Sequence, residues 1–198
     1  MQNSLFAPES SWTVPDVFPQ FSETETVAID LETYDPHLMT CGPGWATGRG
    51  HIVGVGVATE NWSGYFPIRH EGGGNLDETI VLRWLTNLLN STKRDVIFHN
   101  ALYDVGWLRR EGIIVKGKIL DTIVAAPLIN ENRFSYSLDN LGVAYCDEKK
   151  DESLLQDAAL AFGVNPKSEM YKLHAKYVGP YGQQDAALTL KLWNKLKL

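Results

Sequence analysis

The sequence predicts a mixed α/β domain, with strands gathered early in the chain and helices packed over them. Three observations carry that expectation. Short runs rich in strand formers, bounded by polar residues or glycine, occupy the first half of the chain. Helical periodicity with cap residues dominates the second half. Several carboxylates also sit inside segments that otherwise read as buried, at the ends of these elements.

Residues 1–25 carry Pro8, Pro15 and Pro19 among polar residues, with Trp12, Phe18 and Phe21. They read as a lead-in that lays a few aromatics on the surface of a domain spanning 26–198. Thr26 to Glu32 is the first strand. The stretch 33–50 reads as a loop, through Asp35-Pro36, the run from Cys41 to Trp45, and Gly48-Arg49-Gly50. Its glycines do not follow a strand and open a helix, so they are no dinucleotide fingerprint. The loop either borders a ligand or is disordered.

His51 to Thr59 and Gly64 to Ile68 are the second and third strands, forming an antiparallel meander with the first. Asp77 to Asn90 is an amphipathic helix with Ile80, Val81, Trp84, Leu85, Leu88 and Leu89 facing inward. Asp95 to His99 is a short buried strand expected beside the first. Asn100 then caps a helix through Ala101, Leu102, Val105 and Leu108 that stops near Gly112. Asp121-Thr122 opens an apolar helix, and Asp151 to Phe162 is another. Gly179-Pro180 breaks the chain, and a terminal helix is expected from about Pro180, since proline suits a first helical position.

At 198 residues the chain is one domain by length. No run approaches a membrane span, and the N-terminus lacks a signal-peptide form. Cys41 and Cys146 lack metal spacing, which points to a reduced, cytoplasmic compartment, although a disulfide between them stays open. His37, His51, His70 and His174 show no zinc-like spacing, and His99 reads as a structural hydrogen bonder. The net charge of −6 by itself favours a protein that never meets nucleic acid.

Three blocks argue otherwise. In the first, Asp30-Leu31-Glu32, strand alternation projects both carboxylates to one face and turns Ile29 and Leu31 to the other. Two carboxylates on one face suit a hard cation such as magnesium. The second, Asn100 to Asp104, places Asp104 in the first turns of a helix, just past the carboxyl end of a strand. The third runs from Tyr181 to Asp185. Tyr181, Asp185, Leu188, Leu192 and Leu196 are spaced by four, three, four and four residues and form one stripe. Each block alone has a plain alternative: solvated charges at a strand end, an aspartate complementing a helix dipole, a core tyrosine beside an exposed aspartate. Together, buried carboxylates need a shared counter-charge, which two divalent cations (Mg2+ or Mn2+) supply.

In content and order these blocks resemble the 3′-5′ exonuclease domain of the DEDD superfamily, with its ribonuclease H-like fold. Asp30 and Glu32 match its first motif, Asp104 the second and Asp185 the third. Tyr181, four residues before Asp185, marks the tyrosine subtype; the histidine subtype would need His where this chain has Pro180. The resemblance covers roughly Thr26 to Leu198. Asp121-Thr122, the run Ser137 to Leu141, and Gly179 through Trp193 look like proofreading domains of family A DNA polymerases, the last stretch most like bacteriophage versions.

The resemblance implies hydrolysis of the terminal phosphodiester at a single-stranded DNA 3′ end. Asp30, Glu32 and Asp185 would hold one cation. Asp30 would bridge to a second, which Asp104 supports. Tyr181 would orient the attacking water, since a phenol is a poor base at neutral pH. Two divalent cations would take the formal −6 to about −2, so a footprint of a few nucleotides is expected.

Candidates for holding substrate flank the blocks: Leu31 and Thr33, then Tyr34 and Leu38, Asn100 and Tyr103, and Phe134 or Tyr136. Leu38 and the aromatics are candidates to wedge the last base out of its stack. Arg133, Lys149 and Lys150 are candidates to meet phosphates. A polymerase domain or subunit is the implied partner, with no membrane. Two other functions stay in view: a ribonuclease D-like exoribonuclease, and a silent exonuclease-like module of a replication complex.

Overall fold

The computed structural model describes residues 7–197. One sheet organises the chain. Its strands are β1 (Val27–Tyr34), β2 (His51–Thr59), β3 (Trp62–Pro67), β4 (Asp95–Phe98) and β5 (Lys118–Asp121), in the order β3-β2-β1-β4-β5. The first three form the expected meander, and β4 and β5 run parallel to β1. Strand β5 was not foreseen, because a four-residue edge strand with two exposed members carries no periodic signal.

The helices are α1 (Leu38–Cys41), α2 (Gly44–Thr47), α3 (Glu78–Leu89), α4 (Ala101–Arg110), α5 (Thr122–Ile129), α6 (Leu138–Cys146), α7 (Ser153–Phe162) and α8 (Ala175–Leu196). The first two are single turns inside the stretch expected as a loop. Helix α3 is capped by Asp77, whose side chain accepts from the Ile80 N–H. Ile80 itself is 41% exposed, so it does not join Val81, Leu85, Leu88 and Leu89 in the core.

Strand alternation divides the core. Ile29 and Leu31 enter a cluster with α3 and α4, whereas Ala28 faces Ala186 and Leu190 of α8. Asp30 and Glu32 share the Ala28 face by the same period of two, towards α8. Their register partners on β2 are both glycines, Gly56 opposite Asp30 and Gly54 opposite Glu32. A Cβ at Gly56 would stand 2.3 Å from the Gly182 carbonyl oxygen, and one at Gly54 would stand 2.0 Å from the Tyr65 hydroxyl. The bare backbone therefore lets α8 lie close against the sheet beside the acidic face. A bulge follows immediately after Glu32.

Helix α8 corrects the expected start at Pro180. It begins at Ala175, capped by His174 Nδ1, which accepts from the Lys176 N–H. Pro180 lies inside it and cannot donate to the Lys176 carbonyl. Ser10 Oγ supplies the missing bond, donating to Lys176 O at 2.8 Å. Trp12 packs where a Cβ on Gly179 would be, and its Nε1–H donates to Gln183 Oε1 at 3.2 Å. The lead-in thus braces the helix turn that carries Tyr181; its residues 1–6 lie outside the described part. Phe18 and Phe21 pack against the main core cluster.

Candidate active site

The sequence places Asp30 and Glu32 on one face of β1, and the tertiary fold brings Asp185 of α8 over them. Oxygens of these three carboxylates lie within 4.8 Å of one another. The strip Leu188, Leu192 and Leu196 anchors α8 in a buried cluster, which leaves Asp185 at the sheet end of the same stripe. Glu32 and Asp185 are 8% and 5% exposed, so these are not solvated surface charges.

Asp104 is also buried, at 5% exposure, on the α4 side of β1. Its Oδ1 accepts from the Leu31 N–H at 3.0 Å. The second block is therefore tied to the first through the peptide between Asp30 and Glu32. Asp104 is not within the three-carboxylate group, but its charge is felt at Glu32, and that of Asp30 at Asp104.

The electrostatics follow from burial and like charge. Desolvation, then Asp185, push Asp30 up to about 8, against an opposing pull from Lys150. Glu32 is raised by burial and by Asp30 and Asp185. Asp104 is raised by burial and by Asp30. Asp185 is raised by burial, a rise that Lys150 and the Tyr181 hydroxyl oppose. All four acids are therefore held above their ordinary range by burial, and Asp30, Glu32 and Asp104 also by neighbouring acids of the four. The Tyr181 phenol is driven well above its usual value by burial and by Glu32 and Asp185, so it stays protonated.

The donor set fits hard divalent cations. The three groups that could ligate an ion, Asp30, Glu32 and Asp185, all offer carboxylate oxygens, the ligand class that Mg2+ and Mn2+ take. Asp185 Oδ1 is buried with no hydrogen-bond partner, which leaves it free to act as a ligand.

Asn100 corrects the expected cap. It adopts a left-handed conformation, φ 76°, and its side chain makes no cap bond. Asp121, the last residue of β5, caps α4 instead. Its carboxylate accepts from the N–H groups of Asn100 at 2.9 Å and Ala101 at 2.8 Å, and also from Ile123 at 3.0 Å. One aspartate thus fixes the starts of α4 and α5, and with α4 the position of Asp104. His99 serves structurally, its Nδ1 paired with Thr122 Oγ1 at 2.8 Å.

The remaining candidates divide between exposed and engaged. The Leu31 side chain packs in the core. Thr33 Oγ1 pairs with the Tyr103 hydroxyl at 2.8 Å, and that hydroxyl donates to Asp35 Oδ2 at 3.0 Å. The Tyr34 ring lies 4.3 Å from that of Tyr171. Leu38, on α1, is 39% exposed, and Phe134 stands fully exposed between α5 and α6. Tyr136 donates to the Asn130 carbonyl. Arg133 lies over the Tyr145 ring, and Lys149 is exposed.

Lys150, a candidate to meet phosphates, is instead engaged by protein groups. Its ammonium enters the acidic site, 2.7 Å from Asp185 Oδ2 and 3.1 Å from the Tyr181 hydroxyl. Nothing in the local sequence marks it, since Lys149 beside it is an identical residue; only its reach across 35 positions to Asp185 does.

A mixed five-strand sheet with acidic groups of β1 and α8 converging beside it, and Asp104 of α4 tied to β1, has the ribonuclease H-like fold of DEDD exonucleases. Solved structures of that fold superpose on it. NrnC of Brucella melitensis bound to pGG is 16% identical, with TM-score 0.56, covering 87% of this chain and 72% of that one. Escherichia coli RNase D, an exoribonuclease involved in structured RNA processing, is 14% identical, with TM-score 0.54, covering 87% of this chain and 38% of that one. At such identities the likeness speaks for the fold.

Sequence comparison is more specific. A 3′-5′ exonuclease family model matches residues 9–198. A DNA-directed DNA polymerase of Pseudomonas phage M6 is 39% identical over 97% of this chain and 30% of its own length. DNA polymerase I of Pseudomonas aeruginosa is 26% identical over 90% of this chain and 19% of its own. The chain belongs to the 3′-5′ exonuclease family of the DNA polymerase A type. It spans less than a third of the length of these polymerase relatives. No helix among the described residues is long and apolar enough to cross a membrane.

Proposed function

We propose that this exonuclease removes nucleotides one at a time from a single-stranded DNA 3′ end, releasing nucleoside monophosphates, and that it edits the product of a polymerase. The observation that carries the reading is the convergence of Asp30, Glu32 and Asp185 oxygens within 4.8 Å in a buried setting. The DNA preference draws support from relatives that are named as DNA polymerases.

Two divalent cations, Mg2+ or Mn2+, are the proposed cofactors. Asp30, Glu32 and Asp185 would hold one, with Asp30 and Asp104 contributing to the second. When bound, such ions activate water and stabilise charge on a departing alkoxide. Tyr181 donates a hydrogen bond from its protonated hydroxyl and so orients the nucleophile without removing its proton. Burial of the carboxylates keeps bulk water from screening their fields.

A single-stranded 5′-labelled DNA oligomer, incubated with Mg2+ and resolved by length, tests the reading. A ladder shortening from the 3′ end is expected, abolished by chelator and by Asp30→Ala. Endonucleolytic products or activity retained in Asp30→Ala would overturn it. A matched RNA oligomer cut as fast or faster would move the substrate to RNA, and no cleavage of either would favour a silent module.

A further inference from the structure

The loop between α6 and α7 delivers a buried cation to the acidic site. One of its two lysines, Lys150, has a side chain only 8% exposed, where a lysine free to choose would stay in water. Three groups receive the ammonium: Asp185 Oδ2 at 2.7 Å, the Tyr181 hydroxyl at 3.1 Å, and Glu152 Oε1 at 3.8 Å. It also lies 4.4 Å from the centre of the Tyr181 ring. Burial works against its charge, but Asp185 more than compensates, so it remains an ammonium.

The loop is held on both sides of this contact. The Lys150 N–H donates to Asp139 Oδ1 at 3.4 Å, and the Asp151 N–H donates to Gln184 Oε1 at 3.0 Å. Glu148 pairs with Lys191 of α8. Ammonium and carboxylate are thus both carried on anchored backbone.

We propose that Lys150 is a positioning residue for cation binding: it pins Asp185 through Oδ2, keeps Oδ1 as the free donor, and fixes the Tyr181 hydroxyl beside it. The inference rests on the reading that Asp30, Glu32 and Asp185 hold a divalent cation. A carboxylate turns readily about its last torsion, so one charge-assisted bond selects the orientation of both oxygens. Oxygen Oδ1 is the one left buried without a partner. Outer partners of this kind support metal affinity by about 10–100-fold.

Two effects of removing the ammonium have opposite signs. Loss of its positive charge would tighten cation binding, and loss of orientation would weaken it. The measured direction therefore decides. Mn2+ titration by calorimetry is compared for the wild-type chain, Lys150→Met and Lys150→Arg, with folding checked by circular dichroism. Lys150→Met is expected to bind Mn2+ about 10–100-fold more weakly, and Lys150→Arg to recover most of the loss. On single-stranded DNA at saturating Mn2+, kcat falls in Lys150→Met while KM stays close to wild type. Equal or tighter Mn2+ binding by Lys150→Met, or a defect confined to KM, would overturn the proposal and make Lys150 a mere counter-charge or a phosphate contact. If Lys150→Met does not fold, Lys150→Gln carries the same comparison. A wild-type chain that binds no Mn2+ would instead sink the cation site itself.

Discussion

The Leu31 N–H donates to Asp104 Oδ1 at 3.0 Å, joining residues 73 positions apart. This bond makes the spacing between the first two acidic blocks a property of the backbone. It also separates a structural task of Asp104 from its proposed role at the cations, since a hydrogen-bond acceptor can be kept while the charge is removed.

Asp104→Asn retains an acceptor for Leu31 and should melt no lower than wild type in chelator. Asp104→Ala leaves the buried N–H unpaired and should cost about 1–3 kcal/mol, with melting lowered by roughly 2–4 °C per kcal/mol. Both should lose most exonuclease activity. Paired melting curves and single-turnover assays check the separation. Full activity in Asp104→Asn would remove Asp104 from the cation site.

Asp30 should make the cation-free protein less stable at higher pH. Its folded-state value is pushed up to about 8 from the ordinary 3.8, so the folded chain binds more protons than the unfolded chain between these values. Stability from this group is present below about 4 and is lost as pH rises through about 8. In chelator, Asp30→Asn should therefore melt above wild type at pH 8, with the gap closing towards pH 4, while lacking activity. A gap that does not change with pH would argue against an Asp30 carboxyl raised by burial and by Asp185.

Divalent cations should reverse that penalty. Binding to the folded state alone stabilises by about 2.7 kcal/mol at a hundredfold excess over Kd. Wild type should therefore melt higher in Mg2+ or Mn2+ than in chelator, and Asp30→Asn should respond far less. Calorimetric melting with and without the ions makes the comparison.

Gly56→Ala should impair catalysis through geometry. Its Cβ would meet the Gly182 carbonyl oxygen at 2.3 Å, a backbone atom that cannot swing aside. Helix α8 must lift from β2, carrying Tyr181 and Asp185 away from Asp30. Overpacking of this kind costs about 1–3 kcal/mol. Mn2+ affinity and kcat should both fall in the variant that remains folded. Unchanged Mn2+ binding would show that the close approach does not set the site.

The sequence by itself determined what local periodicity can encode. A period of two set Asp30 and Glu32 on one face of β1. A period near 3.6 set Asp185 above Leu188, Leu192 and Leu196. The order of the three acidic blocks, with Tyr181 ahead of the last, identified the family. Only the tertiary structure decided the relations between segments far apart in sequence. Asp121 rather than Asn100 caps α4, because β5 ends beside its first turn. Helix α8 runs through Pro180, because Ser10 accepts the burden of the missing N–H at the Lys176 carbonyl. Lys150 rather than Lys149 enters the site, because the loop anchors on Asp139 and Gln184 turn that one ammonium inward. Repeats along a chain report which face a residue shares with its neighbours. Which distant group meets that face depends on packing, where a glycine under a helix or a hydroxyl at a proline decides the outcome.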